Sequence, residues 1–323
     1  MSNRVGRTHR TRGIAPIFLV SLVGLGIGGG GCSSSSSSDT PLQSAASTEA
    51  ATVSTNATTP SVKRVNTAGK FSREDFQVAN FDENSINITN KYFPLIPGTR
   101  HEYDGSTVEE GKTLSHRVTF TVTNLTKKIN GVNTVVIWES DFTEGELDED
   151  ELTFFAQDKL GNVWHLGQYS ELWEAGEYTA GRTWFVGHPE DAKAGIMMKA
   201  DPKVNTPDWS EGFAPPPYFW SDRARVRSST EKTVVPTGTY EGVLVTEEFN
   251  EEETSAVQLK YYAPGIGVVR VGWDGTDESK ETLLMVHTEE LSPAKLDAAS
   301  KGALELEKRA LVFATADPSV QRT

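Results

Sequence analysis

"HRVTFTVTNLTKKINGVNTVVIWESDF", residues 116–142, decides the fold class. Val118, Phe120 and Val122 alternate with Thr119, Thr121 and Thr123, the period of a strand with one buried face. Asn130-Gly131 follows, a pair that accepts the positive φ angles of a tight hairpin, and Val132 to Phe142 returns as the partner strand. The logic recurs along the chain. "ELTFFAQDKLGNVWHLG" turns at Lys159 to Asn162, and "TSAVQLKYYAPGIGVVRVGW" turns at Pro264 to Gly267. "TYEGVLVTEEF" and "ETLLMVHTEE" are two further β-rich runs. No long amphipathic helix interrupts them before residue 292. The sequence therefore predicts an all-β, mainly antiparallel protein: a curved meander sheet closing into a barrel or half-barrel.

Outward from this body the composition changes at both ends. Residues 71–291 read as a single antiparallel β domain. Behind them, "SPAKLDAASKGALELEKRA" opens with Ser292 as N-cap and Pro293 at the first helical position. Leu296, Ala299, Ala303 and Leu306 give an apolar stripe, so a C-terminal helix is expected over 292–310, with a frayed tail over 311–323. In front, residues 32–70 are rich in Ser, Thr and Ala with hardly an aromatic. Such a segment cannot bury enough apolar surface to offset its conformational entropy and reads as a disordered tether, with a reach of roughly 35 Å.

The tether begins at the sole cysteine, Cys32. Arg4, Arg7, Arg10 and Arg12 precede an apolar stretch, Ile14 to Ile27, which leads into Gly28 to Gly31. A basic start, a short apolar stretch and a small-residue exit make a secretory signal, and the stretch is too short to be a comfortable membrane span. A cysteine directly after the small residues resembles a bacterial lipoprotein signal. That resemblance implies cleavage between Gly31 and Cys32, acylation of the sulfur and anchoring in a membrane. Gly29 departs from it, standing where such signals usually have Leu. A plain secretory peptide with an incidental thiol is the alternative. Ser33 directly after Cys32, rather than Asp, points by the same resemblance to the outer membrane where the cell has one.

Removing the signal leaves 27 basic against 45 acidic residues, about 18 net negative charges. That balance argues against nucleic acid, whose binding needs cationic side chains. It also argues against charge-driven adhesion to anionic lipid. With one cysteine no disulfide can form within the chain.

Four further stretches carry a second resemblance: "NKYFPLIPGTRHEYDG" (90–105), "AQDKLGNVWHLGQ" (156–168), "KADPKV" (199–204) and "KYYAPGIGVVR" (260–270). Together they resemble a family of exported bacterial proteins. The resemblance implies a shape, a curved antiparallel sheet similar to the incomplete barrels of periplasmic lipid- and lipoprotein-handling proteins. It implies no activity.

Candidate chemistry is sparse. The run "EGELDEDELTF", with Glu144, Glu146, Asp148, Glu149, Asp150 and Glu151, lacks the spacing that wraps calcium and reads as a solvated hairpin connection. "EEFNEEE" (247–253) reads as a second exposed turn. His101, His116, His165, His188 and His287 form no metal-ligand pair, and Met197-Met198 near His188 reads as core rather than a copper site. No Gly-x-Ser-x-Gly elbow, His-Glu-x-x-His helix or phosphate-cradling glycine loop occurs. No catalytic residue, metal or cofactor is assigned.

A non-enzymatic binding role remains, for an apolar ligand, a lipid or an envelope protein. The candidate ligand-binding loop is "DWSEGFAPPPYFW" (208–220), where Trp209, Phe213, Tyr218, Phe219 and Trp220 surround three prolines on an irregular, stiff segment. The alternative for that loop is that it folds over the core and buries its own rings. For the whole protein the alternatives are a secreted hydrolase or metal-handling protein, and a structural envelope protein.

Overall fold

The computed structural model describes residues 71–216 and 218–313, with short pieces at 64–65 and 321–322. Gly31, Cys32 and the rest of the signal lie outside the described residues. So do the 32–70 tether, apart from 64–65, and the tail beyond 313, apart from 321–322.

Alternating burial and tight turns produce one 15-stranded antiparallel sheet. The chain first runs up and down through β1 (Thr99–Glu109), β2 (Lys112–Ile129), β3 (Val132–Thr143), β4 (Glu146–Gln157) and β5 (Val163–Glu174). Asn130-Gly131 and Glu144-Gly145 turn the hairpins on either side of β3 with positive φ at both residues. β6 (Glu177–Phe185) and β7 (Lys193–Met198) both pair with β5, on successive halves of it. Two very short strands follow, β8 (Trp209–Ser210) and β9 (Gly212–Phe213). A second meander completes the sheet: β10 (Asp222–Val235), β11 (Gly238–Asn250), β12 (Ala256–Ala263), β13 (Gly267–Gly275) and β14 (Thr282–Glu290).

The order of neighbours is β8-β10-β11-β12-β13-β14-β1-β2-β3-β4-β5-β7-β9. β14 meets β1, with Leu283 opposite Gly105 and Met285 opposite Tyr103. The two ends of the path, β8 and β9, are separated in the chain by Glu211 alone. The sheet is an open ribbon whose edges are drawn together by one residue. Trp209 stands opposite Ala224 of β10, and Gly212 stands opposite Ala194 of β7. Between them the Glu211 N–H donates to the Asp222 carbonyl at 2.8 Å. Residues 209–213 form the seam of a curled sheet, a half-barrel geometry that leaves few free edge groups.

One helix, α1 (Pro293–Phe313), starts behind Ser292, whose hydroxyl accepts from the Lys295 N–H at 3.5 Å. It lies on the outer face of β2, β4 and β6. A Cβ at Gly302 would fall 2.5 Å from the Trp138 ring, so only glycine lets the helix settle there. Lys127 reaches Glu307 at 2.9 Å, and Arg309 grips Glu171 at 2.6 and 2.8 Å. This part of the sheet is buried on both sides, Val136 and Leu152 facing the helix and Ile137 and Glu151 facing the interior.

That double burial overturns the reading of the acidic run as a solvated connection. Only Glu144-Gly145 turn; Glu146 onward is β4, and Asp148, Glu149, Asp150 and Glu151 are all buried. Asp150 faces the helix side and accepts hydrogen bonds from the Trp138 indole at 2.6 Å and the Ser140 hydroxyl at 2.7 Å. Glu149 and Glu151 face inward. The stretch 247–253 divides in the same way: Glu248 and Asn250 end β11 buried, and the turn lies beyond them.

The seam gives a stability test. A Cβ on Gly195 of β7 would lie 2.1 Å from the Gly212 nitrogen and 2.2 Å from the Glu211 carbonyl carbon. These are backbone atoms and cannot step aside as a side chain could. Gly195→Ala is expected to cost at least about 1–3 kcal/mol by overpacking, read as a lowered midpoint in urea unfolding.

Candidate functional site

The interior of the curled sheet has two halves of opposite chemistry. One end is apolar and tied together by hydrogen bonds from the stretches that resembled an exported family. Asn90 donates to the carbonyls of Gly161 and Lys199 at 3.0 and 3.1 Å and accepts from the N–H groups of Tyr92 and Phe93. Asp158 accepts from the Trp164 indole at 2.8 Å and from the Asn162 amide at 2.9 Å. Asn162 accepts in turn from the Ala200 N–H at 2.9 Å. Phe93 packs edge-on against Phe155 at 5.4 Å and Tyr262 at 6.3 Å, and Gly265 donates to the Lys91 carbonyl. Parts of all four stretches meet here, close hydrogen bonds and plug one end, while Gln168 and Lys260, from two of them, lie in the other half.

The other half is lined with carboxylates. Strand register sets them in rows, since inward residues alternate along each strand. Glu139 of β3 stands directly opposite Glu151 of β4, and the next inward pair is Asp141 opposite Glu149. From the far wall come Glu248 opposite Gln258, and Thr246 opposite Lys260. Glu211 and Asp222 come from the seam, and Glu281 from the approach to β14. All eight carboxylates are buried. Like charges directly opposite each other destabilise a sheet, so two consecutive acid–acid rows need an electrostatic reason to exist.

Two cations answer part of that need. The Lys260 ammonium, wholly buried, pairs with Glu248 at 2.6 Å. Glu248 also accepts from the Tyr262 and Thr246 hydroxyls at 3.0 Å each. Burial opposes the charged lysine, but Glu248 and Glu211 outweigh it and its pKa is raised. At the other side of the cluster, His116 lies 2.9 Å from Glu281 and 3.3 Å from Asp141. Burial pulls its imidazolium down, yet the two carboxylates win and push its pKa up to about 9.

The acids themselves are held high. Burial is the largest cause for Asp141, Glu151, Glu211 and Asp222, and neighbouring carboxylates add to it. Several acceptors in this half meet no donor: Glu151 Oε1, Gln168 Oε1, Glu211 Oε1, Asp222 Oδ2, Gln258 Oε1 and Asp141 Oδ2. A buried acceptor left unmet costs about 1–3 kcal/mol, and here they occur together.

The residues singled out in the sequence are placed as follows. Trp209 and Trp220 are buried; Phe213 and Tyr218 are half-buried; Phe219, 55 % exposed, stands out with φ of 52°. The Trp209 indole donates to the Ile196 carbonyl at 2.7 Å, and Trp220 packs against His165 and Trp184. The loop thus supplies the seam and part of the apolar half. His165, wholly buried with carbonyls 3.0 and 3.1 Å from its two nitrogens, is kept neutral by desolvation, its pKa pulled to about 3. His101 is pulled to about 4 in the same way. Among the described residues no group of three or more His, Cys, Asp or Glu is placed to hold a metal ion, and no helix is long and apolar enough to cross a membrane.

Two grooves open on the outside. A smaller one of about 290 Å³ is lined by residues including Ile88, Leu95, Ile96 and Leu125. A larger one of about 770 Å³ runs over β1 and β2 past Arg100, Glu102, Asp104 and Arg117, and it reaches His116. His116 is the residue that this groove shares with the acidic half.

No protein-family model and no curated protein matches this chain. Two solved structures are similar over part of it. One, from Bacteroides fragilis NCTC 9343, is provisionally named an exported protein with a YmcC-like fold; it is 14% identical, with 62% of this chain and 99% of that one covered, at a TM-score of 0.37. The other, from Parabacteroides distasonis ATCC 8503, is provisionally named a lipoprotein; it is 12% identical, with the same coverage and a TM-score of 0.29. At such scores neither carries an argument about this chain.

The histidine–carboxylate triad makes a pH prediction. A folded-state pKa above that of free imidazole stabilises the fold fully below about pH 6.5, and the contribution is lost as pH rises through about 9. The raised pKa values of Asp141, Glu151, Glu211 and Asp222 act with the same sign. Thermal midpoints followed by circular dichroism should fall from pH 6.5 to 9, and His116→Gln should remove part of that fall. A variant profile parallel to the wild type would contradict the assignment.

Proposed function

We propose that this protein is an exported, lipid-anchored envelope protein whose β body is a non-enzymatic binding module, with its ligand held in the polar half of the curled sheet. The observation that carries the binding reading is the set of buried acceptors without donors, gathered on one side of an interior otherwise packed to contact. A purely structural β protein gains nothing from facing Glu139 with Glu151 and Asp141 with Glu149 in a buried row. The sequence alone favours an apolar ligand. Against that, the apolar half is occupied by Phe93, Phe155, Tyr262, Trp184 and Trp220, and the carboxylate and amide oxygens of Asp141, Glu151, Gln168, Glu211, Asp222 and Gln258 that meet no donor lie in the polar half. The proposal therefore moves to a polar, donor-bearing ligand.

The anchor rests on the position of Cys32 after the signal. It would hold the body near a bilayer through acyl chains, each buried methylene contributing ~0.8 kcal/mol. The Ser33 neighbour favours the outer membrane. Two measurements test the two parts. Cys32→Ala is expected to move the protein from the membrane pellet to the soluble fraction; equal partitioning would remove the anchor. Native mass spectrometry of the protein from its own membranes is expected to show the acylated mass and a non-covalent adduct that dissociates on activation.

A further inference from the structure

We propose that the acid-lined half of the interior is a site for an organic polyamine-type cation, whose separate ammonium groups are taken up at three acceptor stations, two beside Lys260 and one beside His116. The proposal deepens the binding reading above and rests on it. The stations are Glu151 with Gln168, Glu211 with Asp222, and Asp141 with Gln258 and Glu281. Each presents at least one fully buried oxygen with no donor. Gln168 donates its amide to Glu151 at 3.3 Å, and Gln258 donates to Glu281, so in both amides the remaining carbonyl oxygen is the free group. Glu211 and Asp222 are joined through the backbone at the seam.

The chemistry of the occupant follows from what is unmet. In the ionised carboxylates and the two amides, the six free atoms are oxygens that offer lone pairs only. They call for N–H donors that carry positive charge, because charge-assisted hydrogen bonds are the strong ones. A single metal ion would need three or more ligands converging on one point, and among the described residues no such group exists. The acceptors are instead dispersed: Glu151, Glu211 and Asp222 feel the Lys260 charge, while Asp141 and Glu281 lie against His116. Dispersed acceptors match several ammonium centres on one flexible chain. The groove over β1 and β2 includes His116 in its lining, with Glu102 and Asp104 paired to Arg100 and Arg117, and Glu144 beside them.

The test uses the full chain in detergent at neutral pH, titrated calorimetrically with spermidine and putrescine. Sodium chloride and magnesium chloride at matched ionic strength are the control arms. Saturable spermidine binding at one site per chain is expected, weakened at least tenfold in the double variant Glu211→Gln with Asp222→Asn. Glu241→Gln, a change to an exposed carboxylate far from the interior, should bind as the wild type does. If the double variant does not fold, Glu151→Gln reads a second station by the same tenfold criterion. Absence of saturable heat, equal heat from the salt arms, or unchanged affinity in the interior variants overturns the polyamine site. So does stabilisation by falling pH alone with no response to amines, which would mean that protons neutralise the cluster. Native spectrometry separates the two levels: a non-amine adduct overturns the ligand class and leaves the interior-site reading standing. No adduct together with no amine binding overturns both.

Discussion

A lysine ammonium with no exposure at all, 2.6 Å from a glutamate with almost none, sets the terms for the rest of this structure. Taking both charges out of water costs several kcal/mol per ion before they attract each other. The pair survives because Glu248 is also met by two hydroxyls, and because more carboxylates surround Lys260 than one cation needs. From that excess follow the raised proton affinities, the charged His116 and the unmet oxygens. A sheet organised in this way is not held by polar contacts; it is held by the apolar half and the helix, and it tolerates the acidic half.

Much of the fold is legible in the sequence, and the particular residues say why. Asn130-Gly131 admits one local geometry, and the alternation from Val118 to Thr123 admits one face assignment. Ser292-Pro293 marks the start of α1 because capping is a local matter. The acidic run fails for the opposite reason. Glu149 and Glu151 alternate with Asp150 and Leu152, and nothing in the run itself says that helix α1 covers one side while a far wall with Lys260 covers the other. The relevant neighbours are about a hundred residues away or more. The one available hint is that Glu-x-Glu and Asp-x-Glu spacing matches strand period, with turn residues only at Glu144-Gly145.

The proline-rich loop shows a similar limit. Its aromatics suggest a rim, but apart from the exposed Phe219 their rings serve packing around the seam, because the chain there must bridge two sheet edges in a single short excursion. Gly195 and Gly212 let backbones approach where a side chain would collide. The stretches resembling an exported family serve both halves: most of their residues build the plugged end, and Gln168 and Lys260 enter the acidic half. Asn90, Asp158, Asn162 and Phe93 satisfy buried groups and fill space, and none touches the acidic half.

The pairing of β14 with β1 has a bearing on biogenesis. A chain emerging from the ribosome N-terminus first presents residues 99–109 long before residues 282–290 arrive, so the first strand waits for the last. Partial products have an unpaired border and no covering helix, and the cooperative unit forms only when synthesis is finished. High contact order of this kind slows acquisition of the final state. Slow acquisition leaves prematurely terminated copies open to proteolysis.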